Sequence, residues 1–428
     1  MKKFLIALLA IMFVASLFTV AAAEDKLSIS GTMRVRALDA ENYSDFNDSN
    51  PLDEVAYWDQ RLRLSGTFKA NDAVSAHFRF DFAEDSWGNT APDAWTTASN
   101  PNDVYGHWEG SRYGHASEFQ VDRAYMQIVQ DLYTLKAGQL FFSTGQNYIV
   151  YDNNTTGITA TIKTPVIIDL HYSKLDENGG LTDDSTLDTE DKDAYVVQGT
   201  FKAESFSVGA FYAAINDSSD ADNSPEAFGV FGSMAFGPVN LMAEIDSFGG
   251  DQSATVEYVG TQFWLNAEWK MDALILGGNL LYAVAQDATG EVQISGLNNW
   301  GAWQPSTYGP FVEDFMAGPH LGGAEDFNFT GDGAGNVGGT IYAKFSPMEK
   351  VQLWGMIAYF TPEDDDNAIT YIDDMTIVNL SAQYEFVDGA TFAAMYSTTL
   401  MSKDGAAPVG SDSDDAAQQI MARLQVKF

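Results

Sequence analysis

KLSISGTMRVRAL, residues 26–38, alternates with a period of two: Leu27, Ile29, Met33, Val35 and Ala37 fall on one face, and Ser28, Ser30, Thr32, Arg34 and Arg36 on the other. A period of two is the signature of a β-strand with one apolar and one polar side. The same grammar recurs along the chain. Leu62, Leu64 and Phe68 alternate with Arg61, Arg63 and Thr67; Phe78, Phe80 and Phe82 with His77, Arg79 and Asp81; Ile341, Ala343 and Phe345 with Thr340, Tyr342 and Lys344. Alternation alone also suits a soluble sandwich, so the connections have to decide.

The connections are sorted by length. Tight links are expected near Asn71-Asp72, Asp131-Leu132, Thr164-Pro165, Ala203-Glu204, Gly237-Pro238, Met271-Asp272, Pro347-Met348 and Asp388-Gly389. Between them lie long polar links near 39–56, 85–118, 143–156, 176–193, 216–226, 247–254, 287–335, 361–374 and 402–415. Short turns at one rim and long loops at the other are the pattern of an antiparallel β-barrel that crosses an outer membrane. Counting hairpins predicts about 18 strands, with 16 as the alternative, wide enough for a water-filled lumen.

The first residues fit an exported chain. Lys2 and Lys3 precede an apolar run from Phe4 to Val20 and the small residues Ala21-Ala22-Ala23, so residues 1–23 read as a cleaved signal peptide and 24–428 as one barrel domain. No later stretch has the 18 or so consecutive apolar residues of a membrane helix. Cysteine is absent, which excludes disulfides and thiolate metal sites as sources of stability. The net charge of −38 argues against nucleic acid as a partner. Its acidic runs, LTDDSTLDTEDKD (181–193), EDDD (363–366) and SDSDD (411–415), lie in the long links and lack the spaced pattern of a calcium loop, so no metal or cofactor is expected. Aromatics at strand ends (Trp58, Phe141, Tyr172, Tyr212, Trp269, Phe345, Phe360, Tyr384 and Phe386) predict a girdle at the lipid headgroups.

The last ten residues, QIMARLQVKF (419–428), place Ile420, Ala422, Leu424, Val426 and Phe428 on one face and end on an aromatic. This segment resembles the closing strand of the Gram-negative porin superfamily, with looser echoes in DQRLRL (59–64) and VDRAY (121–125). The resemblance implies residence in the cell outer membrane among lipid and lipopolysaccharide. It also implies Phe428 as the signal read by the barrel-assembly machinery, and a homotrimer as one assembly open to the chain. It implies passive diffusion of ions and small polar solutes. In such proteins the loop after the fifth strand folds into the lumen and sets acidic residues against arginines. Here that loop, STGQNYIVYDN (143–153), carries only Asp152, and the two longest loops are the alternative occupants.

Arginines cluster early, with one at the end. Arg34, Arg36, Arg61, Arg63, Arg79, Arg123 and Arg423 share the polar parity, and closing the last strand on the first would gather them into one wall of the lumen. A charged side chain facing lipid at mid-depth costs roughly 2–4 kcal/mol, which is why the polar rows must point inward. Asp169, Glu244, Asp246, Glu268 and Glu385 are the lumenal carboxylates expected opposite. Either these arginines present charge to solutes, or they pair with same-face neighbours, Asp59 with Arg61 and Asp81 with Arg79, and brace the wall.

Two other functions stay open. Trp87, Trp95, Trp108, Trp300 and Trp303 in the long loops could stack on sugar rings, giving a channel selective for sugars or small carboxylates, or could pack together and occlude a structural or adhesive barrel. An enzyme is not expected: G-x-S-x-G, H-E-x-x-H and P-loop patterns are missing. Of the five histidines only His77 and His171 share the lumenal parity.

Overall fold

The computed structural model describes residues 26–42, 54–86, 119–146, 153–176, 192–217, 223–284, 291–293, 335–363, 372–403 and 416–428. The expected signal peptide, the loop tryptophans, the other three histidines and Asp152 lie outside them. The described residues form twenty strands, in chain order from β1 (Leu27–Glu41) to β20 (Ala417–Lys427). Eighteen form one closed antiparallel barrel, each paired with its sequence neighbours. The remaining two, β12 (Asp251–Ser253) and β15 (Glu291–Gln293), pair with the start of β13 (Val256–Met271), β15 in parallel, as a small second sheet. Among the described residues no helix is long and apolar enough to cross a membrane.

Closure is made by β1 against β20, from Thr32 opposite Lys427 to Glu41 opposite Gln418. In hydrocarbon an unpaired strand edge would leave its N–H and C=O groups unsatisfied, so only a closed sheet is stable there. The seam is extended by Phe428, whose N–H donates to the Gly31 carbonyl at 3.0 Å and whose carbonyl accepts from the Gly31 N–H at 2.8 Å. The Phe428 ring lies against Gly31, where any Cβ would collide with it.

All eight tight links are found as short turns. Between β2 (Glu54–Lys69) and β3 (Val74–Ser86), Asn71 Oδ1 accepts the N–H groups of Ala73 and Val74, an Asx turn that reverses the chain in four residues. The link foreseen at Pro347-Met348 sits two residues later, because β16 (Asn336–Met348) runs on through a register shift.

The outward faces carry the large exposed apolar side chains, among them Val197, Val230, Ile245, Ile341, Ile357 and Leu424. Of the expected girdle residues, Trp58, Tyr212, Trp269, Phe345, Tyr384 and Phe386 are exposed on this lipid side. Phe360 is a correction. On β17 (Val351–Thr361) it follows Trp354, Met356 and Ala358 at alternate positions, so it turns into the lumen and is fully buried.

Candidate functional site

The lumen is built from the inward row of every strand, and its charge is distributed unevenly. On β1, Arg34 and Arg36 are 3% and 2% exposed. Arg34 stands directly opposite Arg61 of β2, and Arg36 stands opposite Asp59 on one side and Arg423 of β20 on the other. One step down the ladder, Thr32, Arg63 and Asp81 follow one another across β1, β2 and β3. Arg79 of β3 faces Arg123 of β4 (Phe119–Val129). All seven arginines of the expected wall therefore lie on five consecutive strands, counting through the seam.

Two of the carboxylates that brace this wall take hydrogen bonds from across the ladder. Arg36 Nε donates to both oxygens of Asp59, at 2.9 and 3.1 Å. Arg63 grips Asp81 with a two-pronged contact, Nε to Oδ1 and Nη2 to Oδ2, each 2.7 Å. Residues on adjacent strands lie nearer than i and i+2 on one strand, which decides the pairing. The third brace, Asp122, was not visible in the alternation. A bulge on β4 shifts the register between Arg79 and Phe80, so consecutive residues Asp122 and Arg123 both reach the same side. Asp122 contacts Arg79 and lies 3.7 Å from Arg123. Arg123 sits at the edge of the wall, its guanidinium 4.2 Å from the centroid of the Phe141 ring on β5 (Tyr133–Phe142).

The expected opposing carboxylates are dispersed. Asp169 on β7 (Val166–Asp176) accepts the Thr161 hydroxyl. Glu268 is held at the end of β13 by Lys270 at 3.6 Å and by the Tyr342 hydroxyl at 3.3 Å. Glu385 on β18 (Ile372–Val387) accepts the Gly389 N–H of a tight turn, and β18 is only three strands from β1 through the seam. Only Glu244 and Asp246, both on β11 (Val239–Gly249), stand together, and both are fully buried. The rest of the far side combines an apolar cluster, Phe211, Phe231, Trp264, Phe360, Met375 and Ile377, with buried neutral polar side chains such as Gln262, Asn266, Asn279 and Thr340. The parity rule assigns side, not polarity, so this partly apolar lumenal face could not be inferred from lipid-facing alternation.

The loop after β5 turns inward. Gly145 N–H donates to Gln198 Oε1 on β8 (Lys192–Lys202) at 2.9 Å, and Gln146 N–H donates to Glu244. These partners are 53 and 98 residues away along the chain, so the loop crosses the inner faces of the intervening strands. The weak acidic content of 143–153 concealed this, because the carboxylate it meets is supplied by the barrel.

The two lumenal histidines are held by hydroxyls. His77 Nδ1 meets Thr67 Oγ1 at 3.0 Å and Nε2 meets Ser75 Oγ at 2.9 Å, with Tyr125 stacked on the ring. His171 meets Thr159 and Ser173 in the same way and stacks on Phe142 with centroids 3.8 Å apart. Neither set contains the carboxylate that would orient a catalytic histidine.

A family model described as Gram-negative porin matches residues 7–299. The chain belongs to the Gram-negative porin family. This porin matches no curated protein. Its fold is similar to solved outer-membrane channels at low identity. OccAB3 of Acinetobacter baumannii has a TM-score of 0.58 at 10% identity, covering 94% of this chain and 99% of that one. OccK9 (OpdG) of Pseudomonas aeruginosa gives 0.57 at 12%, covering 94% and 98%. OpdK of Pseudomonas aeruginosa gives 0.54 at 9%, covering 94% and 99%. The porin is an outer-membrane protein and a passive diffusion channel, with an all-β transmembrane barrel of 18 strands.

Proposed function

We propose that this porin favours anions, and that the wall of Arg34, Arg36, Arg61, Arg63, Arg79, Arg123 and Arg423 sets the preference. The observation that carries this is the direct opposition of Arg36 to Arg423 and of Arg34 to Arg61 on the lumenal ladder. Among the described residues three carboxylates, Asp59, Asp81 and Asp122, lie against guanidinium groups of this wall. Guanidinium groups held by a carboxylate on one edge still present donors on the other, so bracing and solute contact coexist. The loop at Gly145 and Gln146 narrows the lumen from the far side, over β8 to β11. An anion passing through a low-dielectric constriction with one cationic wall is attracted more strongly than in bulk water.

The reading is of a conduit without covalent chemistry, since the hydroxyl partners of His77 and His171 brace the wall. The test is single-channel recording in a salt gradient. The reversal potential should carry the sign of anion preference. A potential of cation sign that is indifferent to the arginines would overturn the proposal, and no conductance at all would favour an occluded barrel.

A further inference from the structure

Beside the arginine wall stands a cation that the wall does not include. Lys136, near the start of β5, is opposite Gln127 of β4 on one side and Thr159 on the other, and the next residue along that row is the buried lumenal His171. Lys136 therefore points into the lumen. Among the described residues its ammonium makes no ion pair or hydrogen bond. It lies 5.8 Å from the centroid of the Tyr125 ring and 5.8 Å from that of Phe141, with Arg123 and Asp169 within coulombic reach. Aromatic faces attract a cation without neutralising it, so Lys136 keeps its charge for a passing solute.

Phe141, whose place in the sequence suggests the lipid headgroups, completes the group. The pairing of β4 with β5 ends at Ala124 opposite Gln139, beside the bulge that carries Asp122 and Arg123, so at Phe141 the strand is free of the ladder on that side. Its ring meets the lumenal cations: Arg123 lies 4.2 Å from the centroid and Lys136 5.8 Å. The residue is nevertheless 40% exposed. Two like charges thus converge on one ring that still has uncovered apolar surface. Tyr125, held by its stack on His77, borders the same spot.

The chemistry of the occupant follows from that combination. A chloride ion would use the cations and leave the ring in water, and a neutral apolar solute would use the ring and neither charge. A carboxylate with an apolar chain uses all three: its oxygens accept from the ammonium and the guanidinium while its chain covers the ring. We propose that Lys136, Arg123 and Phe141 form a subsite where carboxylates bearing an apolar chain lodge on their way through the lumen. The proposal rests on the reading of this porin as anion-favouring and adds the class of anion that is held longest.

Block of the chloride current through single channels in a planar bilayer tests the subsite, with potassium hexanoate and potassium acetate as paired probes at equal ionic strength. Hexanoate should block saturably, with a half-blocking concentration about fivefold below that of acetate, which corresponds to little more than one buried methylene. Lys136→Gln should raise the hexanoate value about tenfold, as loss of a hydrogen bond to a charged group does. Phe141→Ala should bring hexanoate to the level of acetate, and it serves if Lys136→Gln does not assemble. Lys350→Gln, in the tight turn between β16 and β17 where Lys350 pairs with Asp388, is the control and should leave both probes as in the parent. Equal block by the two probes in the parent, or a hexanoate block unchanged by both lumenal variants, overturns the proposal. The reversal potential in a potassium chloride gradient, measured on the same channels, is a separate readout. A cation sign overturns the anion reading, whereas anion preference without selective hexanoate block overturns the subsite alone.

Discussion

Arg36 and Arg423 stand directly opposite each other across the seam that closes the barrel, both almost completely buried on the lumenal side. Like charges in that position repel, and in an ordinary sheet such a pair is destabilising. Asp59, opposite Arg36 on the other side, offsets part of this. Closing the barrel thus concentrates charge that is distant in sequence: the two residues are 387 positions apart and share one patch of wall.

The wall predicts a salt-dependent selectivity. Replacing Arg34, Arg61 and Arg423 together by Gln should move the reversal potential toward cations. The shift should be largest at 0.01 M salt, where the Debye length is about 30 Å, and small near 1 M, where it is about 3 Å. High-salt conductance should change little. Lowered thermal stability with an unmoved reversal potential at every salt concentration would assign these arginines to bracing alone.

Asp59→Asn should separate bracing from selectivity. It removes the carboxylate that takes two hydrogen bonds from Arg36 Nε and leaves a buried guanidinium with less compensation. A cost of about 3 kcal/mol is expected from breaking a buried ion pair on one side. Urea unfolding in lipid vesicles measures it, and anion preference should rise in the fraction that folds.

Ile341→Arg tests which face meets lipid. Ile341 is 77% exposed on the outer surface of β16, flanked by inward Thr340 and Tyr342. The substitution should cost roughly 2–4 kcal/mol if the position lies near the bilayer midplane, and less toward either rim. Thr340→Arg, one residue away and facing the lumen, should leave stability in lipid closer to that of the parent while altering conductance. Equal effects of the two would show that the faces are assigned the wrong way round.

Deleting Phe428 should reduce the yield of heat-modifiable barrel in outer membranes more than it alters the pore. The deletion removes both backbone hydrogen bonds to Gly31 and the ring that covers it. Gly31→Leu should act in the same direction from the other side of the seam, since its Cβ would meet the Phe428 ring and the Arg63 carbonyl. Overpacking of this kind typically costs about 1–3 kcal/mol. Normal assembly of both variants would remove the seam from the folding argument.

Sequence by itself determined the architecture, because a barrel wall is a local matter. Each strand lies between lipid and lumen, so the sorting of Leu64 from Arg63, or of Ile341 from Tyr342, is written at every second residue. The tight turns at Asn71 and Gly389 are likewise local, needing only a short stretch of suitable residues. The inward arginine row was legible for the same reason, together with the one non-local step that the last strand must close on the first. Tertiary structure alone decided what depends on neighbours that closure and tilt bring together. It decided that Asp59 serves Arg36 and Asp81 serves Arg63, since cross-strand register has no local code. It also placed Asp122 on the wall, because a bulge breaks the period on which parity rests. The remaining case is the meeting of Gln146 with Glu244: a loop's path across a lumen is fixed by the wall it lands on, and that wall is built 98 residues further along the chain.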